Sequence, residues 1–144
     1  MTVDEKIARL KERGALLTIQ RYAVLEFLQD NDLHPTAEEI YQSLRGIYPT
    51  LSRATVYNTL EVFKQYGLVQ EVNIERDKAH YDYRIDPHHH FLCRRCSRIY
   101  DVGLDRSPIG MGEWVDGHKI EEVRLYITGT CSECLKEGGN AGAP

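Results

Sequence analysis

Four cysteines, the only ones in the chain, stand as Cys93-Arg94-Arg95-Cys96 and Cys131-Ser132-Glu133-Cys134, with 34 residues between the pairs. A two-residue spacer lets one tight turn aim two thiolates at one ion, and a second turn from far along the chain supplies two more. Four sulfur ligands leave no open coordination position, so the zinc implied is a structural staple rather than a catalyst. A different donor set lies just upstream: Asp82, His88, His89 and His90, with His34 and Asp101 further off. The residue types thus imply one closed thiolate site and a second, mixed nitrogen/oxygen site able to respond to a signal. Disulfides are the weaker reading of the cysteines. The charged start, Met1-Thr2-Val3-Asp4-Glu5-Lys6, lacks the apolar core of a secretory signal, and no apolar run approaches the roughly 18 residues that span a membrane. The protein is therefore read as cytoplasmic, where thiols stay reduced.

The elements that must carry these residues can be read from capping and periodicity. A chain of 144 residues makes one ordinary domain or two small ones, and a small second domain buries little surface, which makes a metal staple physically sensible. Ile7 and Leu10 lie at helical spacing over 4–13, and Gly14 ends that helix. Thr18 caps a second, with Tyr22, Leu25, Phe27 and Leu28 expected to be buried. Thr36 and Glu39 form a capping box for a third, with Ile40, Tyr41 and Leu44 facing inward. Ser52 caps a fourth from Arg53 to about Tyr66, where Val56, Leu60 and Phe63 form the buried stripe and Gly67 the stop. Residues 68–74 and 79–85 then alternate about a polar turn, which predicts a hairpin.

Helices followed by a two-stranded hairpin make a winged helix, whose last helix is placed to enter a DNA major groove; the pattern alone equally allows a winged helix used only for protein contacts. Arg53, Thr55, Tyr57 and Asn58 lie off the apolar stripe at the start of that helix and can bond base edges and phosphates. Charge does not advertise DNA binding: the net charge is −4, and residues 1–84 carry 11 Lys and Arg against 13 Asp and Glu. Weak DNA binding by the metal-free protein follows. The predicted fold is α+β: an N-terminal winged helix-turn-helix domain over 1–84, a small α/β metal-binding and dimerisation domain over 85–136, and a small-residue tail over 137–144 read as disordered. Strand-like pieces are expected at 90–92, 98–102 and 123–127, while 103–117 has no clear assignment.

His34-Pro-Thr-Ala-Glu-Glu-Ile-Tyr, Ala54-Thr-Val-Tyr-Asn-Thr-Leu, Gly67-Leu-Val, Tyr81-Asp82-Tyr83, His88-His89-His90-Phe-Leu-Cys93 and Cys131-x-x-Cys134 occur in that order. Over roughly residues 4 to 136 the chain strongly resembles the ferric uptake regulator family of bacterial metal-dependent repressors, most of all its peroxide-responsive branch. The resemblance implies a homodimer binding a palindromic operator in double-stranded DNA. It implies structural Zn²⁺ on Cys93, Cys96, Cys131 and Cys134, and regulatory Fe²⁺ or Mn²⁺ (with Zn²⁺ as a further candidate) on His34, Asp82, His88, His90 and Asp101. The two aspartates in this set point to the peroxide branch, where Asp rather than Glu is typical at the Asp101 position and where His34 and His88 would be the oxidised residues. Such a protein is a regulator, not an enzyme, with no membrane or small organic substrate as partner.

The chain departs from the family pattern in places. A further metal site of many iron-sensing relatives would fall on Pro87, His89, Pro108 and Val123, which cannot bind a metal as a set, so His89 is expected to be a solvated bystander. Leu16 stands where some relatives have a minor-groove Lys or Arg. His80 and His118 match no ligand position and are expected at the surface. The alternatives are a metal-supply sensor of the same family without peroxide chemistry and, more remotely, a hydrolase with a metal on His88, His90 and Asp82. Five candidate ligands leave little room for a hydrolase substrate.

Overall fold

Each of the first four helices begins at a hydroxyl-bearing residue that accepts an otherwise orphaned backbone N–H. Thr2 caps α1 (Val3–Glu12) and Thr36 caps α3 (Ala37–Leu44), each in a full capping box, with Glu5 and Glu39 respectively. Thr18 caps α2 (Ile19–Gln29) and Ser52 caps α4 (Arg53–Gln65). Gly67 adopts φ of 65°, which lets the Leu68 N–H reach the Phe63 carbonyl at 2.8 Å and the Gly67 N–H reach that of Lys64 at 3.0 Å. The chain reverses there into β1 (Gln70–Glu75) and β2 (Lys78–Asp82), an antiparallel hairpin that turns at Arg76-Asp77. The computed structural model describes residues 1–103, 114–121 and 123–138. It falls into two units, Met1–Asp86 and Pro87–Pro144.

The core of the first unit is the packed inner faces of these helices, with Leu10, Val24, Leu25, Ile40, Val56, Leu60, Phe63 and Leu68 fully buried. Two expectations about α2 are corrected. Ala23, Val24, Leu25 and Leu28 form its buried stripe, whereas Tyr22 is exposed and Phe27 only partly buried. At about 100° per residue Tyr22 lies nearly opposite the centre of that stripe, so aromatic bulk was a poorer guide than phase. Tyr41 of α3 is likewise half-buried, with the Arg53 guanidinium 4.5 Å from its ring centre. The hairpin strands are also displaced from expectation. Leu68 and Val69 enter the core instead of the ladder, and the Arg84 N–H bonds back to the Asp82 carboxylate at 2.9 Å, turning the chain out of the strand.

In the second unit, β3 (His89–Cys93) lies between antiparallel β4 (Ile99–Val102) and parallel β7 (Tyr126–Gly129). The last strand starts three residues later than expected. β5 (Trp114–Val115) and β6 (His118–Lys119) form a separate hairpin about Asp116-Gly117, both at positive φ as a tight two-residue turn requires. This hairpin places part of the stretch without a sequence assignment; residues 104–113, including Pro108, lie outside the described residues. α5 (Ser132–Glu137) has no counterpart in the sequence reading and lies within the expected second domain except for Glu137, the first residue of the expected tail; 139–144 lie outside the described residues. No helix among the described residues is long and apolar enough to cross a membrane.

Candidate metal centres

The thiolate cluster is built from two turns. Cys93 ends β3, and the chain folds over a tight turn that closes with the Ser97 N–H on the Cys93 carbonyl at 2.9 Å, with Ser97 at φ of 61°. Cys131 is the N-cap of α5 and Cys134 lies on its first turn. Parallel pairing of Cys93 with Gly129 brings the two turns side by side. The Cys93–Cys134 and Cys96–Cys131 sulfurs are each 3.8 Å apart, and all four lie within 4.8 Å of one another. A Zn–S bond of about 2.3 Å on a tetrahedron gives an S···S edge of about 3.8 Å, whereas a disulfide holds its sulfurs at about 2.05 Å. The cluster therefore fits a structural zinc ion.

Backbone amides surround these sulfurs. The Cys93 sulfur accepts from the Cys131 N–H at 3.3 Å and the Cys96 N–H at 3.5 Å; that of Cys131 accepts from the Cys134 N–H at 3.4 Å. Burial works to raise the Cys93 thiol, but the amides of Cys96, Cys131 and Arg95 outweigh it and hold the thiol at about 6. The Tyr100 hydroxyl lowers Cys131, assisted by the Cys134 amide. Cys134 is pushed up to about 12 by burial and by its sulfur neighbours. A bound dication reverses that last effect, since it deprotonates its thiols outright.

Nitrogen and oxygen donors collect separately in each unit. In the second, His90 of β3 faces Asp101 of β4 across the antiparallel ladder, and His88, two residues earlier, shares that face by strand alternation. The Asp101 carboxylate lies 3.2 Å from His88 Nε2 and 3.5 Å from His90 Nε2, and the two imidazole centres are 4.5 Å apart. In the first unit, His34 Nε2 lies 3.2 Å from the Asp82 carboxylate, and both residues are buried. Metal–nitrogen bonds of about 2.1 Å place neighbouring donors about 3.0–3.4 Å apart in octahedral or tetrahedral geometry. The His34–Asp82 and His88–Asp101 distances fall in that range and His90–Asp101 lies 0.1 Å beyond it. His89 is half-buried on the opposite face of β3, and His118 is exposed.

Two residues with a bearing on these groups escaped the sequence reading. His80 is buried, not at the surface: Nδ1 donates to the His34 carbonyl at 2.7 Å, and Nε2 lies 2.7 Å from a Glu75 carboxylate oxygen. A signal existed, because His80 and Asp82 share one face of a strand. Lys6 is the second. It is fully buried in α1, donates to the carbonyls of Leu68 (2.6 Å) and Tyr83, and has its ammonium 3.3 Å from the Tyr83 ring centre. Burial pushes Lys6 down to about 8, opposed by the charge of Asp82.

On α4, Tyr57 and Asn58 are exposed and Thr55 is half-buried beside the Ser52 cap. Arg53 is exposed but engaged: its guanidinium forks onto Glu38 at 2.9 and 3.0 Å while stacked on Tyr41. That fork holds the Glu38 carboxyl at about 2, with Gln42 assisting. Leu16 is 73% exposed.

Helices joined to a wing, with a closed thiolate cluster and clusters of His and Asp, define a metal-binding winged-helix protein. The chain belongs to the ferric uptake regulator family, whose model matches residues 12–128. It is 40% identical over 138 residues to the peroxide operon regulator of Bacillus subtilis (strain 168), covering 94% of each chain. The solved PerR of Streptococcus pyogenes, a protein of peroxide sensing and gene regulation, superposes with a TM-score of 0.55 at 25% identity, covering 92% of each chain. The Helicobacter pylori ferric uptake regulator Fur, which has three functional metal-binding sites, shares the fold: TM-score 0.74 at 18% identity, over 94% of this chain and 95% of that one.

Proposed function

We propose that this protein is a DNA-binding transcriptional repressor that senses peroxide through one Fe²⁺-binding regulatory site made from His34, Asp82, His88, His90 and Asp101. The observation that carries the reading is the His88–Asp101–His90 cluster, mixed donors at coordination spacing, in a chain so similar to a peroxide operon regulator. Three imidazoles and two carboxylates suit Fe²⁺ and Mn²⁺ and disfavour Ca²⁺ and Mg²⁺. Zinc on Cys93, Cys96, Cys131 and Cys134 has the separate task of holding the second unit together.

An ion that took all five as ligands would draw on residues from both sides of the 86/87 division. An ion that needs donors from both units favours one arrangement of them over all others, because any other strips it of ligands. In a homodimer, the favoured arrangement fixes the spacing of two α4 helices, and only a spacing near one helical turn of DNA, about 34 Å, or its multiples fits the half-sites of a palindromic operator. Tyr57, Asn58 and Thr55 then face the groove, and Arg53 joins them by exchanging the Glu38 carboxylate for a phosphate. Fe²⁺ held there would supply one-electron redox chemistry; in the overall balance peroxide gives one oxygen atom to a carbon of a nearby imidazole and leaves as water, the ring losing two electrons and the iron returning to its starting state. His34 and His88 are the imidazoles we assign to that role; an oxidised ring is a poor ligand, so its loss would weaken metal binding and release the protein from DNA.

The metal dependence is measurable without knowing the target genes. A duplex enriched from a random pool by the Mn²⁺-loaded protein should bind it roughly 5–150-fold more tightly than the metal-free protein, the usual range of coupling between two sites. Asp101→Ala should abolish that response while leaving the weak metal-free binding in place. Fluorescence anisotropy reads both, and a metal-free protein that binds as tightly as the loaded one contradicts the switch.

A further inference from the structure

We propose that His80 is a positioning residue of the regulatory site: it sets the backbone of His34, and through it the direction of the His34 imidazole, while tying that ligand to the tip of the wing. The inference rests on the reading of His34 as a metal ligand.

His34 occupies an uncommon conformation. Its φ is 51°, in the left-handed region where a residue with a Cβ costs roughly 1–2 kcal/mol. Such a conformation persists only where its surroundings over-determine it. Here several restraints come from β2. Thr36 forms a single β-bridge with His80, and the Tyr81 N–H donates to the Pro35 carbonyl at 2.9 Å. The His34 carbonyl, which can only accept, takes a 2.7 Å hydrogen bond from His80 Nδ1. The His34 side chain leaves the other side of the same turn to meet Asp82 at 3.2 Å. Two residues on one face of β2 thus grip His34 together, Asp82 by the imidazole and His80 by the main chain. The far side of the His80 ring is fixed in turn by Glu75, the last residue of β1 and the one beside the wing turn. A path of two short hydrogen bonds therefore runs from the wing tip to the ligand backbone.

Partners of this kind around a metal site typically contribute 10–100-fold to affinity, because they fix the orientation of the ligands. They are separable here by side-chain length. Asn places an amide N–H near the position of Nδ1 and can keep the bond to the His34 carbonyl; Gln extends towards the position of Nε2 and can keep only the bond to Glu75.

The test loads the full-length, zinc-retaining protein with Co²⁺. It measures the visible absorption spectrum of the ion and its dissociation constant by chelator competition, for wild type, His80→Asn, His80→Gln and His34→Ala. The proposal expects His80→Asn to keep the wild-type spectrum and affinity, and His80→Gln to shift the spectrum and weaken binding about 10–100-fold. Equal behaviour of the two His80 variants, whether both bind normally or both lose Co²⁺ alike, overturns it, since a residue that merely fills space gives no such split. His34→Ala separates the two readings. If it loses Co²⁺ while both His80 variants bind normally, the positioning role alone fails; if it binds Co²⁺ as wild type does, the ligand assignment beneath it fails.

Discussion

Cys93→Ser protein is expected to lose its zinc and the order of its second unit in one step. Cys93 is fully buried, its sulfur stands 3.8 Å from that of Cys134, and it accepts the amides of both turns that make the cluster. A serine hydroxyl neither matches the softness of a thiolate nor carries its charge, so three ligands remain for an ion that wants four. Structural zinc binding contributes about 10–16 kcal/mol of folding free energy in small domains. The apolar core around the cluster is correspondingly thin: Phe91 and Tyr100 pack against the cysteines themselves. Even a partial loss of that free energy exceeds what so small a unit holds in reserve. Metal analysis should return less than one zinc per chain, with strand signal in circular dichroism lost and the helices of the first unit kept. A Cys93→Ser protein that stays dimeric and folded without zinc would refute the staple assignment.

The second large effect belongs to Lys6. Its ammonium closes the root of the wing, holding the carbonyl where the chain leaves α4 and the carbonyl just beyond β2. Lys6→Ala strands two acceptors and opens a cavity along the buried stem, for an expected cost of about 2–4 kcal/mol. Against a total of about 4–13 kcal/mol for a unit of this size, that is a substantial fraction. Lys6→Met fills the stem volume and should cost less than Lys6→Ala. Urea denaturation checks the order, and a Lys6→Ala protein as stable as wild type would show the clamp to be idle. The titration has a defined sign as well. An unfolded chain keeps the Lys6 proton up to its ordinary value of 10.5, while the folded protein releases it near 8. Between those values the unfolded state binds the extra proton, so wild type gains stability relative to Lys6→Met as pH rises, by up to about 1.4 kcal/mol per pH unit. The gain is lost again as pH falls through 8.

What could be read from the sequence was what is decided locally. Thr18, Thr36 with Glu39, and Ser52 announce helix starts because a cap and its partner lie within one turn. The cysteine pairs announce a metal because spacing and residue type suffice. The misjudged positions depend on distant chain. Lys6 reads as one more charge on an amphipathic helix; its partners lie 62 and 77 residues away. His80 reads as a surface strand residue until Thr36 bridges onto it from the loop before α3. The phase of α2 is obscured because Tyr22 and Phe27 are large, while the smaller Val24 sits near the centre of the packed face and Ala23 at its edge. α5 is one short turn-and-a-half whose cap is a cysteine, which no ordinary capping preference singles out.

The central claim is that the histidine and aspartate ligands make a peroxide sensor, and histidine oxidation tests it most directly. The protein, loaded with Fe²⁺ without oxygen, is treated with one equivalent of peroxide and mapped by peptide mass spectrometry, alongside an Mn²⁺-loaded control. A single added oxygen on His34 or His88, in the iron sample alone and accompanied by release of DNA, is the predicted result. Unmodified histidines in a protein whose DNA binding still follows metal would contradict it, and would make the chain a sensor of metal supply.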